Sequence, residues 1–303
     1  MEQKKLVILL ADISGYTRFM LENQTSAVHG QLIISKLIES ILAHVDIPLT
    51  LQEIEGDAVF LYAAHPGSDE GWHRVVEQVS RKLEQFFEAF IAEVAIATES
   101  TPCGCAVCRN ITELGLKIIV HTGEAVFHQI AGRPQVSGTD VILAHRLLKN
   151  TVPSHEYLLL SEAAWTAMGE HLPGKFERHR ETYEGFGAVE LRVRILHGDL
   201  LAARDAVYEL SEAELKTSVG AYTRWLYPRD LLPAIFAQLR RPIRPFTWRE
   251  KFRMVLDPLI EWPAVLLYHR RAIPKQLIAR GKRRTSWRGR PDSAAERGAT
   301  GAA

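Results

Sequence analysis

Residues 5–17 read KLVILLADISGYT, an apolar run that ends in a polar turn containing glycine. The six apolar residues from Leu6 to Ala11 have the length of a buried β-strand and fall far short of the ~20 residues of a membrane-spanning helix. A helical pattern follows at about 26–45. The chain is therefore predicted to open as strand, turn and helix.

The rest of the first 200 residues alternates between strand and helix patterns. Strands are predicted at 49–54 and 58–63, joined by a tight turn at Gly56-Asp57, and a long amphipathic helix at 69–97. Further elements are predicted in this order: strands 114–121 and 125–130, a helix at 139–149, and strands 157–160, 176–183 and 189–196. This order predicts an α+β fold with a ferredoxin-like βαββαβ core and extra C-terminal strands.

The pattern changes near residue 200, where helical segments interrupted by prolines replace the strands. We therefore expect a first domain over 1–198, which includes a cysteine-rich loop at 101–110. A helical, basic extension is predicted over 199–288. The tail 289–303 has almost no large apolar residues and is predicted to be disordered.

Composition and charge narrow the class of protein. With 303 residues, 47% hydrophobic and 24% charged, the chain is an ordinary globular protein, which excludes disorder as a whole. Segment 224–290 carries 17 Lys/Arg against 4 Asp/Glu, a net +13 that is hidden in a total of +1. This segment either attracts phosphate groups or is a solvated basic face. Without a nucleic-acid-binding motif, an anionic membrane surface is favoured over nucleic acid as its partner. Because the N-terminus lacks a secretory pattern, we expect a cytoplasmic protein. The basic segment would make this protein peripheral at the membrane.

Two carboxylates are predicted to meet at one end of the sheet. Asp12 follows the first strand and Asp57 lies in the hairpin turn, and these positions are neighbours in a ferredoxin-like sheet. Such a pair suits Mg²⁺ or Mn²⁺. Gly15 and Thr17 would let backbone N–H groups approach a triphosphate at the start of the first helix. Taken singly, a helix cap and a plain turn are the alternatives.

Several segments resemble class III nucleotidyl cyclases. The similar segments are ILLADISGYTRF (8–19), EIEGDAVFLYA (53–63) and LKIIVHTGEAVFHQIAGRPQVSGTDVILAHRLLKN (116–150). The chain is more similar still to DUF2652, a cyclase-like family in which a cysteine-rich loop precedes the third motif, as CGCAVCRNITELGLKIIVHTG (103–123) does here. The resemblance covers about 5–196 and implies a purine nucleoside triphosphate as substrate and a 3′,5′-cyclic nucleotide and pyrophosphate as products.

The resemblance also implies roles for individual residues. Asp12 and Asp57 would bind two metal ions with the help of the Ile13 carbonyl. Glu53 would select the purine and favours guanine, whereas Gln135 can donate and accept and does not decide the base. Arg146 would stabilise charge in the transition state, and each site would form in a homodimer from the aspartates of one chain and the arginine of the other.

Two positions depart from the cyclase pattern. Ile142 replaces the asparagine that orients the ribose, and Phe186 in YEGFGAVEL (183–191) replaces a phosphate-binding lysine. Loss of one positioned donor typically costs ~10²–10³ in rate. Three hypotheses follow: a slow cyclase, a nucleotide-binding or dimerisation module without catalysis, and a dimeric scaffold for the basic C-terminal segment. Lys149, Arg133 or a second subunit are alternative sources of the missing polar groups.

Cys103, Cys105 and Cys108 form a C-x-C-x-x-C cluster that suits Zn²⁺, although the sequence identifies no fourth ligand. Three reduced thiols in a loop are the alternative. His121 is interpreted as a structural residue, and no Ser-His-Asp arrangement can be argued from the sequence. No phosphate-binding G-x-x-x-x-G-K-[ST] motif is present.

Overall fold

The computed structural model describes residues 1–22, 27–101, 105–196, 217, 220–221, 231–240 and 245–256. The first four strands and the helices between them are, in chain order, β1 (Glu2–Ser14), α1 (Tyr16–Glu22), α2 (Ala27–Leu42), β2 (Thr50–Glu55), β3 (Ala58–Ala64), α3 (Asp69–Ser100), α4 (Ala106–Arg109) and β4 (Gly115–Ile130). The elements that follow are β5 (Arg133–Ser137), α5 (Thr139–Leu147), β6 (Tyr157–Ser161), α6 (Glu162–Met168), β7 (Glu177–Tyr183) and β8 (Gly187–Ile195).

One eight-stranded sheet carries the fold. Its order is β2-β3-β1-β4-β6-β8-β7, and β5 pairs with β4 outside this path. The first four strands are antiparallel in the order β4-β1-β3-β2, with α2 and α3 in the two crossovers. This is the ferredoxin-like arrangement, so the predicted fold class is confirmed. The strand β6 then adds parallel to β4, and β8 and β7 follow antiparallel.

The core has two layers because β1 is buried on both faces, with Leu6 to Ala11 at most 1% exposed. Side chains alternate between faces along a strand. The set Leu6, Ile8 and Leu10 packs in one cluster with Val141, Ala144 and Leu147 of α5. The helices α2 and α3 do not contribute to this cluster, and each carries its own stripe of buried residues.

The structure differs from the predicted elements in several places, including β1, which extends to Ser14 and contains Asp12, and the short helices α1 and α4, which were not predicted. The strands expected at 114–121 and 125–130 are one strand, β4, because Gly123 continues the extended backbone and pairs with Leu6. The short strand β5 was not predicted, since Gly132, Pro134 and Gly138 are turn residues in sequence patterns. The short helix α6 was not predicted, because its seven residues make only about two turns and are too few for periodicity to be visible. The Ser161 side chain caps this helix and accepts a hydrogen bond from the Ala164 N–H.

Two compact units divide the chain, one formed by Met1–Glu99 with Gly104–Val207 and one by Ser100–Cys103 with Tyr208–Ala303. The boundary predicted at 198–199 lies outside the described residues, as do the tail 289–303 and most of 224–290. In the second unit, α7 (Leu231–Arg240) and residues 248–256 are helical, as expected for those positions. Within the described parts of the chain, no helix is both long enough and apolar enough to cross a membrane.

Candidate functional site

Asp12 and Asp57 meet at one end of the sheet. Asp12 pairs with Ala58 across the β1–β3 ladder, and Asp57 is the residue that immediately precedes Ala58. The Ile13 N–H donates a hydrogen bond to the Asp57 carbonyl at 3.2 Å and ties the two segments together. The turn Gly56-Asp57 places Gly56 at φ +69°, a conformation that glycine adopts without strain.

The two carboxylates interact electrostatically. The Asp12 side chain is only 15% exposed, and Asp57 is half-buried. Burial, and then the negative charge of Asp12, raise the pKa of Asp57 from 3.8 to about 6. Part of this rise is offset by a backbone hydrogen bond and by Lys117. When both carboxylates are ionised, one ammonium group, that of Lys117, faces two negative charges, and a bound cation would offset the excess.

Lys117 lies at the centre of this site, although sequence reasoning missed it. The register of β1 and β4 sets Lys117 opposite Asp12, and its Nζ lies 2.7 Å from Asp12 Oδ2. The same ammonium group is 3.5 Å from the Leu148 carbonyl at the end of α5. The sequence did contain a signal for Lys117, since it is the one ionisable residue in the apolar run LKIIV. An ammonium group buried in such a strand needs a carboxylate partner.

The turn that follows β1 is specific to glycine. Gly15 has φ +86°, and a Cβ at this position would lie 3.0 Å from the Glu113 carbonyl oxygen. Its own carbonyl accepts the Phe19 N–H, which begins α1. Thr17 is exposed in the first turn of α1. Because α1 has only seven residues, its dipole adds little to anion binding at this turn.

The two purine-selecting candidates lie on separate strands. Glu53 is exposed on β2, just after a β-bulge between Leu51 and Glu53, and pairs with Phe60. Gln135 is on β5, opposite His128 of β4. The Gln52 Nε2 donates to the Pro134 carbonyl at 3.1 Å, so β2 and β5 approach each other next to these candidates.

Arg146 is exposed on the outer face of α5 and is one of five residues that line an open groove of about 470 Å³: Val141, Ile142, His145, Arg146 and Lys149. The Ile142 side chain is 53% exposed there. His145 Nδ1 lies 3.8 Å from Glu55 Oε2, and its ring packs edge-on against Phe60, so the groove borders the β2–β3 hairpin. Within the described part of a single chain, Arg146 makes no ion pair with either aspartate.

Phe186 has a structural role. It lies in the turn between β7 and β8, where its N–H donates to the Tyr183 carbonyl at 3.1 Å. Its ring packs against the core cluster that contains Tyr183 and Leu191. The side chain therefore contributes to the packing of the β7–β8 hairpin.

A Ser-His-Asp chain is present, contrary to the sequence-based interpretation. His121 Nδ1 lies 2.7 Å from Ser161 Oγ, and Nε2 lies 3.2 Å from Asp140 Oδ1. Burial lowers the pKa of His121, which keeps the ring neutral. Ser161 is buried and its Oγ caps α6, while Asp140 also accepts the Glu124 N–H, so these groups are structural and not those of an exposed nucleophile.

Two of the three cysteines lie beside a histidine that sequence reasoning did not select. Cys105, Cys108 and His29 each offer a ligand atom, and the three atoms lie within 4.8 Å of one another. Cys103, which was expected in the same cluster, lies outside the described residues. No sequence signal could connect residue 29 with residue 105, because the contact depends on packing of α2 against the loop.

The resemblance to DUF2652 is confirmed over part of the chain. The sequence model of that family, described as "Protein of unknown function (DUF2652)", matches residues 34–157. A relative, "Uncharacterized protein Rv2561/Rv2562" of Mycobacterium tuberculosis, is 28% identical over 154 residues, which are 51% of this chain and 69% of that protein.

Solved structures similar to this chain include nucleotidyl cyclase domains. The guanylyl cyclase Cya2 is 17% identical with a TM-score of 0.43, over 65% of this chain and 95% of that chain. The adenylyl cyclase CyaB from P. aeruginosa is 17% identical with a TM-score of 0.42, over 65% and 97%. The guanylate cyclase domain of RhGC from Catenaria anguillulae, solved with GTP, is 15% identical with a TM-score of 0.42, over 64% and 97%. At this level of similarity no function follows from these structures.

Proposed function

We propose that this protein is a nucleotidyl cyclase that converts a purine nucleoside triphosphate into a 3′,5′-cyclic nucleotide and pyrophosphate at a homodimer interface. The observation that carries the proposal is the convergence of Asp12 and Asp57, with the pKa of Asp57 raised to about 6. Two repelling carboxylates are costly for a domain that serves only dimerisation, and a cation would relieve the repulsion.

The donor set fits a hard divalent cation. Asp12 and Asp57 offer carboxylate oxygens at one end of the sheet, and the Ile13 carbonyl would add a third oxygen, which is the donor chemistry of Mg²⁺ or Mn²⁺. These residues would hold the ions, which when bound would neutralise phosphate charge and lower the pKa of the ribose 3′-hydroxyl. Lys117 already pairs with Asp12 and would have to shift as a cation enters.

The remaining residues of the chain would bind and orient the nucleotide. Backbone N–H groups of the turn at Gly15 would approach the phosphates, and Glu53 accepts hydrogen bonds, which favours guanine. Arg146, exposed on α5, would reach the phosphates bound to the partner chain. In the reaction the 3′-hydroxyl loses its proton to water, its oxygen forms a bond to the α-phosphorus, and the bond from that phosphorus to the leaving oxygen of pyrophosphate breaks.

The test is a product assay with purified protein, Mn²⁺ and each of ATP, GTP, CTP and UTP. Mass spectrometry should detect cyclic nucleotide and pyrophosphate with the wild type and none with Asp57→Ala. GTP should be the preferred substrate, and Glu53→Gln should reduce that preference. Absence of product from all four nucleotides would refute the proposal.

The exposed Ile142 offers a gain-of-function test. An asparagine fits at this position without a packing cost, because the side chain is 53% exposed on α5. If the missing amide limits the rate, Ile142→Asn should raise turnover by about tenfold or more. A rate equal to that of the wild type would show that this position does not limit the reaction.

A module that binds nucleotide without catalysis is the alternative within the same site. The Ile142 and Phe186 side chains support it, since neither can hydrogen-bond a substrate. It predicts that Mn²⁺ and GTP bind in a calorimetric titration, that Asp57→Ala abolishes this binding, and that no pyrophosphate forms.

A second candidate function concerns the second unit. In residues 245–256, Trp248 and Phe252 stack with ring centroids 5.3 Å apart and are 75% and 49% exposed. Arg249 and Arg253 line the same surface. Exposed aromatic rings between arginines suit the interface of an anionic lipid bilayer. The full chain should therefore sediment with phosphatidylserine vesicles and not with phosphatidylcholine vesicles, and Trp248→Ser with Phe252→Ser should abolish this. Equal sedimentation with both lipids would exclude it.

A further inference from the structure

A cluster of metal-binding side chains lies apart from the two aspartates. His29 belongs to the first turn of α2, whereas Cys105 and Cys108 belong to the segment between α3 and β4. His29 Nδ1 lies 3.6 Å from Cys105 Sγ, and the three ligand atoms are within 4.8 Å of one another. His29 and Cys108 are each 7% exposed, so the cluster is largely shielded from water.

We propose that His29, Cys105 and Cys108 bind one Zn²⁺ ion, and that this ion connects α2 to the segment that precedes β4. One imidazole and two thiolates are the soft and borderline donors that zinc prefers, and they differ from the oxygen donors of the aspartate site. His29 extends the C-x-C-x-x-C pattern with a ligand from a distant part of the chain.

The spacing fits tetrahedral coordination. With Zn–S near 2.3 Å and Zn–N near 2.05 Å, adjacent nitrogen and sulfur ligands lie about 3.6 Å apart, and adjacent sulfurs about 3.8 Å apart. The observed distance of 3.6 Å between His29 Nδ1 and Cys105 Sγ matches the first of these edges. Since no two of the three ligand atoms are more than 4.8 Å apart, the side chains need to move only slightly closer to bind the ion.

The position of the cluster indicates what the ion would stabilise. Both segments that supply ligands also contact the turn and helix that follow β1. Gly30, next to His29, is packed so closely against α1 that a Cβ there would lie 2.8 Å from Met20 Sδ. On the other side, the Glu113 carbonyl abuts Gly15, and the Glu113 carboxylate lies 3.5 Å from Arg18. An ion at the cluster would therefore hold α1 between two fixed segments.

The test measures metal directly and does not depend on cyclase activity. The full chain, purified with a reductant, is loaded with Zn²⁺, freed of excess metal and analysed by mass spectrometry. We expect about one zinc per chain. With Co²⁺ in place of Zn²⁺, a thiolate-to-cobalt charge-transfer band should be present. His29→Gln, Cys105→Ser and Cys108→Ser should each weaken zinc binding by more than about 100-fold.

A matched control and a second readout guard against simple unfolding. His73→Gln changes an exposed histidine of α3 and should retain the zinc. Amide exchange of residues 16–22 should accelerate when a chelator removes zinc from the wild type. The proposal is overturned if the wild type holds no zinc, if the three ligand variants retain it, or if Cys105 and Cys108 form a disulfide in the reduced preparation.

Discussion

Asp57 controls the charge balance of the candidate site and gives a prediction about pH. Its pKa rises from 3.8 to about 6 on folding, so the folded chain holds a proton more tightly than the unfolded chain between these values. The carboxylate therefore reduces stability as pH rises from about 4 to 6, and the penalty is complete above 6. The shift corresponds to ~3 kcal/mol, which solvent screening of this half-buried group reduces to ~1–2 kcal/mol.

In a metal-free buffer, Asp57→Asn should thus be more stable than the wild type by ~1–2 kcal/mol at pH 7, and equal to it below about pH 4. Urea unfolding at several pH values measures this. Glu53→Gln, an exposed change on the same hairpin, controls for the replacement of a carboxylate by an amide. A constant difference between Asp57→Asn and the wild type across the pH range would contradict the assignment.

Lys117 competes with a cation for Asp12. Its Nζ is 2.7 Å from the carboxylate, and both side chains are mostly buried. Removal of this positive charge in Lys117→Gln should tighten Mn²⁺ binding several-fold, because the ion no longer has to displace or approach an ammonium group. Electron paramagnetic resonance of free Mn²⁺ measures the affinity. Weaker or unchanged binding in the variant would show that Lys117 does not oppose the cation.

At the scale of elements, the turn from β1 into α1 gives a test with an internal control. Gly15 and Gly185 have nearly equal φ values of +86° and +84°, but a Cβ meets the Glu113 carbonyl only at Gly15. Gly185→Ala should cost ~1–2 kcal/mol from backbone strain alone. Gly15→Ala should cost more in thermal or urea unfolding, because the backbone contact adds to the strain. Equal losses of unfolding free energy in the two variants would mean that the contact with the Glu113 carbonyl does not affect stability.

The pairing of α3 with β8 rests on a buried arginine. Arg194, 8% exposed, binds Glu84, donates to the Pro173 carbonyl and lies over the Phe176 ring. Arg194→Met removes the partner of Glu84, whose side chain is 32% exposed, and should cost ~2–3 kcal/mol. The exposed pair Arg180–Glu190 is the control, and Arg180→Met should change the free energy of unfolding by less than ~1 kcal/mol. Similar losses in the two variants would contradict this ranking.

The order of strands and helices could be predicted because periodicity is strong in long elements such as β1 and α3. The short elements β5 and α6 could not, since turn residues dominate one and a single side-chain cap starts the other. In the candidate site, Asp12 and Asp57 were predictable from topology. Lys117 reaches Asp12 through the register of β1 and β4, and His29 reaches Cys105 through packing of α2. Both contacts join distant parts of the chain, so a local sequence pattern does not show them.

At the scale of the whole molecule, the proposal requires two chains. If each site combines the aspartates of one chain with Arg146 of the other, Asp57→Ala and Arg146→Ala proteins should each be inactive alone. Mixed in equal amounts, they should recover up to about a quarter of wild-type activity, because half of the chains pair as heterodimers with one intact site of two. A mixture without activity, from variants that form dimers in ultracentrifugation, would contradict a shared site.

The central claim is that Asp12 and Asp57 form a divalent cation site. The most direct measurement is a Mn²⁺ titration followed by electron paramagnetic resonance, on the wild type and on Asp57→Asn, with the cysteine cluster already loaded with zinc. We expect saturable Mn²⁺ binding to the wild type that weakens as pH falls below about 6 and is lost in Asp57→Asn. Equal Mn²⁺ binding to both proteins, or none to the wild type with and without GTP, would contradict it.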